Sequence, residues 1–221
     1  MIPDFVKKDD ISNEFDSIVT DEIFRRSNTM SPTSFSPANL IECPRKLFYQ
    51  LMEAKPNKKI DYLSQSNDIF VKKKWIEYFK KFQGIKLIEE NLVTADCNFN
   101  ISGTLDAVIQ INDTILATQI FVVKASEFLE IERDGVFRKH VIELLIYMWL
   151  TEISNGLLIY ENRDTHKSLS FHVEPYQPII TSVQKKCLLL TESKLKNQPP
   201  DRPYKKVSEE CNKCECYKIC W

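Results

Sequence analysis

The stretch GTLDAVIQINDTILATQIFVVKAS, residues 103–126, reads as two strands folded around one turn. β-Branched residues dominate both halves, and Asn112-Asp113 supplies the polar break between them. Each half carries one charged residue in an otherwise apolar pattern: Asp106 in the first, Lys124 at the end of the second. Side chains alternate along a strand, so position 122 shares a face with Lys124. The residue there is Val122.

Working outward, further β-like runs lie at 86–93, 156–162 and 169–175, and the run before the turn extends back to 99. Helical spacing marks 10–28, with a polar outer face, and 60–82, where Phe70, Trp75, Ile76 and Phe79 form the apolar side. Ser36-Pro37 reads as a cap and first turn, with Pro44 breaking the helix and RKLFYQLM resuming it. RKHVIELLIYMWLTEIS, 138–154, reads as a buried helix ended by Asn155-Gly156, and a last helix over 178–196 is closed by NQPPDRP. The order predicts a mixed α/β core with a helical lobe built from both chain ends.

The 221 residues, 43% hydrophobic, can bury a sizeable core. Four glycines argue against a propeller or a collagen-like chain. The formal charge of −1 gives no global nucleic-acid signature, so any DNA contact must be a local groove. The start lacks the apolar core of a signal peptide and no run is long enough to span a membrane, which predicts a cytoplasmic or otherwise intracellular protein without membrane partners. Stable disulfides are rare there, which favours metal for clustered thiols.

Of seven cysteines, Cys97 and Cys187 read as small buried hydrophobes. The tail CNKCECYKICW, 211–221, differs. Cys211 and Cys214 form a C-x-x-C pair, and Cys220 closes a third position. Tetrahedral zinc and a cubane cluster both take four ligands, so a fourth is needed, from Cys216 nearby or Cys43 far away. The tail alone does not separate zinc from iron–sulfur.

SFSPANLIECPRKLFYQ near the start, with PP and then C-x2-C-x5-C at the end, resembles the iron–sulfur RecB-like nucleases. Within that family it looks like the CRISPR-associated exonucleases of spacer acquisition, whose relatives include the nuclease domains of AddB-type helicase–nucleases. The middle agrees: GTLDAVIQI resembles the family's G-x-x-D strand, FVVKAS its (D/E)-x-K strand, and HVIELLIYMWL its Q-x-x-x-Y helix. The resemblance covers roughly 33–221. It implies a restriction-endonuclease-like mixed sheet flanked by helices, with a 1–32 helical extension and an iron–sulfur lobe formed by 33–55 and 197–221. It also implies a [4Fe–4S] cluster on Cys43, Cys211, Cys214 and Cys220, with Cys216 a bystander.

The resemblance implies Mg²⁺- or Mn²⁺-dependent hydrolysis of DNA, acting on single strands or ends, with other DNA-processing proteins as partners. In such sites two carboxylates hold the metal and a lysine steadies the developing charge. Asp106 matches the first carboxylate and Lys124 the lysine. Val122 stands where the second carboxylate belongs, Phe70 where a histidine ligand belongs, and Glu143 replaces the helix glutamine while Tyr147 is kept. Two expectations follow. Either Asp106, the Val123 carbonyl and a migrated Glu143 still gather a metal, or cutting is lost and the fold serves as a DNA-binding or assembly module. In either case Tyr147, Arg138 and Lys139 are candidate DNA contacts, with Lys72, Lys73, Lys74, Lys80 and Lys81 as a basic run beside them.

Overall fold

A computed structural model describes residues 34–52 and 62–221. The expected 10–28 helix and the 1–32 extension lie outside the described residues. Five strands form one sheet in chain order: β1 (Ile85–Asp96), β2 (Ile101–Ile111), β3 (Thr114–Val123), β4 (Gly156–Asn162) and β5 (Ser168–Val173). Neighbours run antiparallel except β3 and β4, which are parallel. Ile111 pairs with Thr114, so Asn112-Asp113 is the whole turn, and Asn112 takes the left-handed backbone it requires.

A parallel neighbour needs a crossover. It is supplied by α3 (Ala125–Asp134) and α4 (Arg138–Thr151), after α1 (Pro44–Leu51) and α2 (Tyr62–Lys81) and before α5 (Gln177–Leu195). α2 covers one face, setting Ile76 and Phe79 against Ile109, Leu116, Ile120 and Ile159. α4 covers the other, with Leu144, Leu145 and Met148 against Val108, Ala117 and Leu158. Strands covered on both faces read as near-continuous apolar runs, as β2 to β4 do, whereas the edge strand β5 alternates.

A second core joins the chain ends. Phe35, Leu40, Leu47 and Phe48 pack with Ile146 of α4, Val183, Cys187 and Leu190 of α5, and Cys216. α4 is apolar nearly all round because it is shared by the two cores. Polar ties lock the lobe: the Arg45 guanidinium donates to the Pro200 carbonyl at 2.6 Å, and Lys186 Nζ to those of Leu40 and Glu42. Lys46 bridges Glu42 and Glu215.

Local readings need four corrections. Ser36 starts only a 3₁₀ turn, Asn39–Ile41, and Pro44 begins α1 rather than breaking it, since proline suits a first helical turn. α3 was missed. Its signals are Glu127, whose side chain accepts the Lys124 backbone N–H at 3.1 Å, and a closing Gly135 at φ 92°. α4 ends at a left-handed Glu152, and Gly156 serves a different need: a Cβ there would lie 2.6 Å from Met148 Sδ. Cys97 is exposed in a turn, while Cys187 is buried as expected.

Candidate active centre and cysteine cavity

The hairpin register sets what stands beside Asp106. Ala107 pairs with Thr118, so the next step brings Asp106 level with Gln119 and Ile120. The strands part here, and the Ile120 N–H donates to Asp106 Oδ2 at 2.8 Å. Lys72 Nζ of α2 takes Oδ1, also at 2.8 Å. Asp106 is buried, which pushes its carboxyl up, while Lys72 and the Ile120 N–H pull it down; burial is the larger effect.

Gln119 is buried, and together with the Thr104 backbone it hydrogen-bonds the Tyr147 hydroxyl. Gly103 makes that meeting possible. A Cβ there would lie 2.6 Å from the Tyr147 hydroxyl and 2.8 Å from Pro37 Cδ. The glycine of the G-x-x-D stretch is thus a close-approach position. Glu143, from α4, feels both Asp106 and Lys72, and burial above all pushes its carboxyl up to about 7. No hydrogen bond or ion pair engages it among the described residues.

The structure brings Asp106 and Glu143 together and leaves the other expected members out. Lys124 is exposed at the start of α3, four residues beyond Ile120, or about 13 Å of strand. The Val123 carbonyl accepts from the Arg163 N–H at 2.9 Å. Val122 pairs with Glu161 of β4, away from Asp106. By register, the β3 residues on the α4 side beside Asp106 are Gln119 and Phe121, and Phe121 stacks on His140 at 3.7 Å. Phe70 is 70% exposed, and Lys72 is the α2 residue that reaches Asp106. Tyr147 is buried and offers no surface to a DNA strand. Arg138 and Lys139 are exposed.

The lysine run is likewise divided: Lys72 is tied to Asp106, Lys74 to Glu161, and Lys80 to Glu77 and Glu90. Glu161 was missed by sequence reasoning. It is buried and also accepts from Trp75 Nε1 at 2.6 Å, with His166 Nδ1 at 3.0 Å. Its signal was present: it is the one charged residue in the strand GLLIYEN.

These groups do not fit a divalent cation. Such an ion is held through carboxylate oxygens free to face it. Here both Asp106 oxygens are engaged by the protein's own donors, and the level residue is a neutral amide. Among the described residues no three His, Cys, Asp or Glu side chains converge closely enough for one metal ion.

At the other end of the molecule, Cys43, Cys211, Cys214, Cys216 and Cys220 line one cavity of about 280 Å³. Cys43 is held by the start of α1, and Cys211 by Ser208, whose Oγ accepts its N–H at 3.2 Å. Cys216 is buried, and its thiol is pushed up to about 11 by that burial, so it resists becoming a thiolate. Two cations stand beside the set: Arg45 lies close enough to Cys220, and Lys186 close enough to Cys43, to act on them. Cysteine sulfurs lining one cavity are the donor set that an iron–sulfur cluster draws on.

Similarity to solved structures agrees with this architecture. The protein SSO0001 aligns with a TM-score of 0.58 at 16% identity, covering 93% of this chain and 97% of that one. An alkaline exonuclease (LHK-Exo) from Laribacter hongkongensis aligns at 0.55 and 9% identity, covering 80% and 93%. A phage-related exonuclease from Haemophilus somnus 129PT aligns at 0.50 and 9%, covering 70% and 80%. The fold is that of the restriction-endonuclease-like nucleases. No protein-family model and no curated protein matches the sequence. Among the described residues no helix is long and apolar enough to cross a membrane.

Proposed function

We propose that this chain is a DNA-binding protein on a nuclease fold, of the RecB-like iron–sulfur type, that holds single strands or DNA ends and no longer cuts them. The observation that carries this is the saturated Asp106 carboxylate, with Lys72 on one oxygen and the Ile120 N–H on the other. A cutting centre would present that carboxylate to a metal. Gln119 beside it adds no charge, and Lys72 supplies the positive charge that the buried carboxylate needs.

The cysteine cavity supports a [4Fe–4S] cluster held by Cys43, Cys211, Cys214 and Cys220. Such a cluster would leave no open coordination position, so its part is to staple the chain ends rather than to act on substrate. The cations Arg45 and Lys186 would offset its negative charge.

A nuclease reading has one observation in its favour: Glu143 stands near Asp106 without a bonded partner. End-labelled single-stranded DNA, incubated with Mn²⁺ and anaerobically purified protein, separates the two. Retarded but intact DNA is the expected result. Cutting by the wild type that Lys72→Ala abolishes would overturn the proposal and make Lys72 the catalytic lysine.

A further inference from the structure

A trough of about 600 Å³ runs along the first turn of α4 and along α5 towards the cysteine cavity. At one end it is lined by Lys139, which lies close enough to Glu143 to lower its pKa. At the other end it is lined by Tyr204 and Ile41, which also line the cysteine cavity. Its floor is apolar, from Leu40, Ile142, Ile179 and Val183.

The charge along it departs from the rest of the molecule. Acidic residues outnumber basic ones over the whole chain, 31 to 30. The trough nevertheless carries Arg138, Lys139 and Lys186 and no carboxylate. Arg138 and Lys139 are exposed, and among the described residues neither forms an ion pair. Both stand in the first turn of α4, the end of a helix where a cation is disfavoured. An anion lying in the trough would relieve that cost. Two aromatic rings complete the lining: Tyr176 is 56% exposed and Tyr204 41%.

Resting on the DNA-binding reading, we infer that this trough is the path of a single nucleic-acid strand. Arg138 and Lys139 take backbone phosphates, and Tyr176 and Tyr204 stack on bases. Exposed rings can stack only on bases that are not already stacked in a duplex, which selects the single strand. Lys186 contributes charge at the lobe end while its ammonium holds the Leu40 and Glu42 carbonyls. The strand thus runs from the first turn of α4 towards the lobe that joins the chain ends.

The test is fluorescence anisotropy with a labelled oligothymidine of about 12 nucleotides, within the usual site size of a strand-binding groove. Tyr176→Ala/Tyr204→Ala should weaken binding at least tenfold and leave the salt dependence unchanged. Arg138→Ala/Lys139→Ala should also weaken binding and flatten the salt slope by about 1.4, two phosphates' worth. Arg133→Ala, outside the trough, should change nothing. All these positions are exposed, and unaltered melting temperatures would show that the variants fold.

Wild-type binding that neither double variant weakens would overturn the trough as the path while leaving the DNA-binding reading in place. Failure of the wild type to bind any strand would overturn that reading and the path with it. Equal affinity for thymidine monophosphate and for the oligomer would make the trough a nucleotide site and overturn a strand path.

Discussion

The cysteine cavity and the Asp106 centre each carry residues that a sequence reader assigns to metals, and the fold treats them in opposite ways. The cavity draws Cys43 from one end of the chain to Cys211, Cys214 and Cys220 from the other, and sets Arg45 and Lys186 beside them. The centre turns the Asp106 carboxyl onto the protein's own ammonium. Thiolates crowded together need external positive charge to stay together. A buried carboxylate needs only one counter-charge, and a lysine from a neighbouring helix supplies it.

The largest effect should come from the cavity. Cys43→Ala should remove the broad visible absorption of anaerobically purified protein, and with it the tie between α1 and the tail. Metal-held structure is worth up to roughly 10 kcal/mol in small domains. Here a melting drop of more than about 10 °C is expected, on the usual 2–4 °C per kcal/mol at this size. Cys216→Ala should keep the absorption. The reverse pattern would move the fourth ligand to Cys216, and a colourless, zinc-loaded protein would remove the cluster altogether.

What the sequence made legible follows the same division. The cysteine set rests on local spacing plus one anchor before a proline, and spacing survives folding intact. The sheet was legible because β2 to β4 are apolar on both faces, and the hairpin because Asn112-Asp113 leaves no room for another turn. The partners of Asp106 were not legible. Alignment by motif places Val122 and Lys124 beside it, whereas the register places Gln119 and Ile120 there. Nothing in a sequence fixes register to better than one or two residues before the turn is known. Lys72 was hidden for another reason. One of three consecutive lysines reads as surface, and only packing of α2 decides which one turns inward.

The next prediction attacks the centre. Lys72→Ala leaves Asp106 buried and unpaired. Removing one partner of a buried pair costs about 3–5 kcal/mol, and the partial exposure of Lys72 lowers that to about 2. Urea unfolding at neutral pH should show the loss, and it should shrink in acid, where Asp106 is protonated in both states. Lys72→Ala/Gln119→Glu goes further: with the ammonium gone and a second carboxylate level with the first, Mn²⁺ should raise the melting temperature of this variant and not of the wild type. A wild type that Mn²⁺ stabilises equally would show that the centre never closed.

Gly103→Ala tests the contact that sets Tyr147 against β2. The added methyl would lie inside normal contact distance of both the Tyr147 hydroxyl and Pro37. Overpacking of this kind costs about 1–3 kcal/mol. Tyr147→Phe in the same chain should recover part of the loss, because it removes one of the two obstacles. If the double variant is no better than the single, Pro37 alone sets the limit.

The smallest effect is a matter of proton affinity. Glu143 titrates near 7 in the folded protein and near its ordinary 4.5 when unfolded. A carboxyl whose folded pKa is raised adds stability below its unfolded pKa and loses it as pH climbs through the folded one. Each tenfold change in proton affinity is about 1.4 kcal/mol, so the full effect is bounded near 3 kcal/mol, and solvent at this half-buried side chain brings it to about 1–2. Glu143→Gln mimics the protonated form. It should match the wild type at pH 4, gain on it between pH 5 and 7, and stay ahead at pH 8 by that amount in urea unfolding. Adding Mn²⁺ at pH 8 sharpens the contrast between the two regions. In a centre closed by Lys72 the gap between variant and wild type is unchanged. If the metal erases it, Glu143 has ionised to hold a cation, and the centre is a metal site after all.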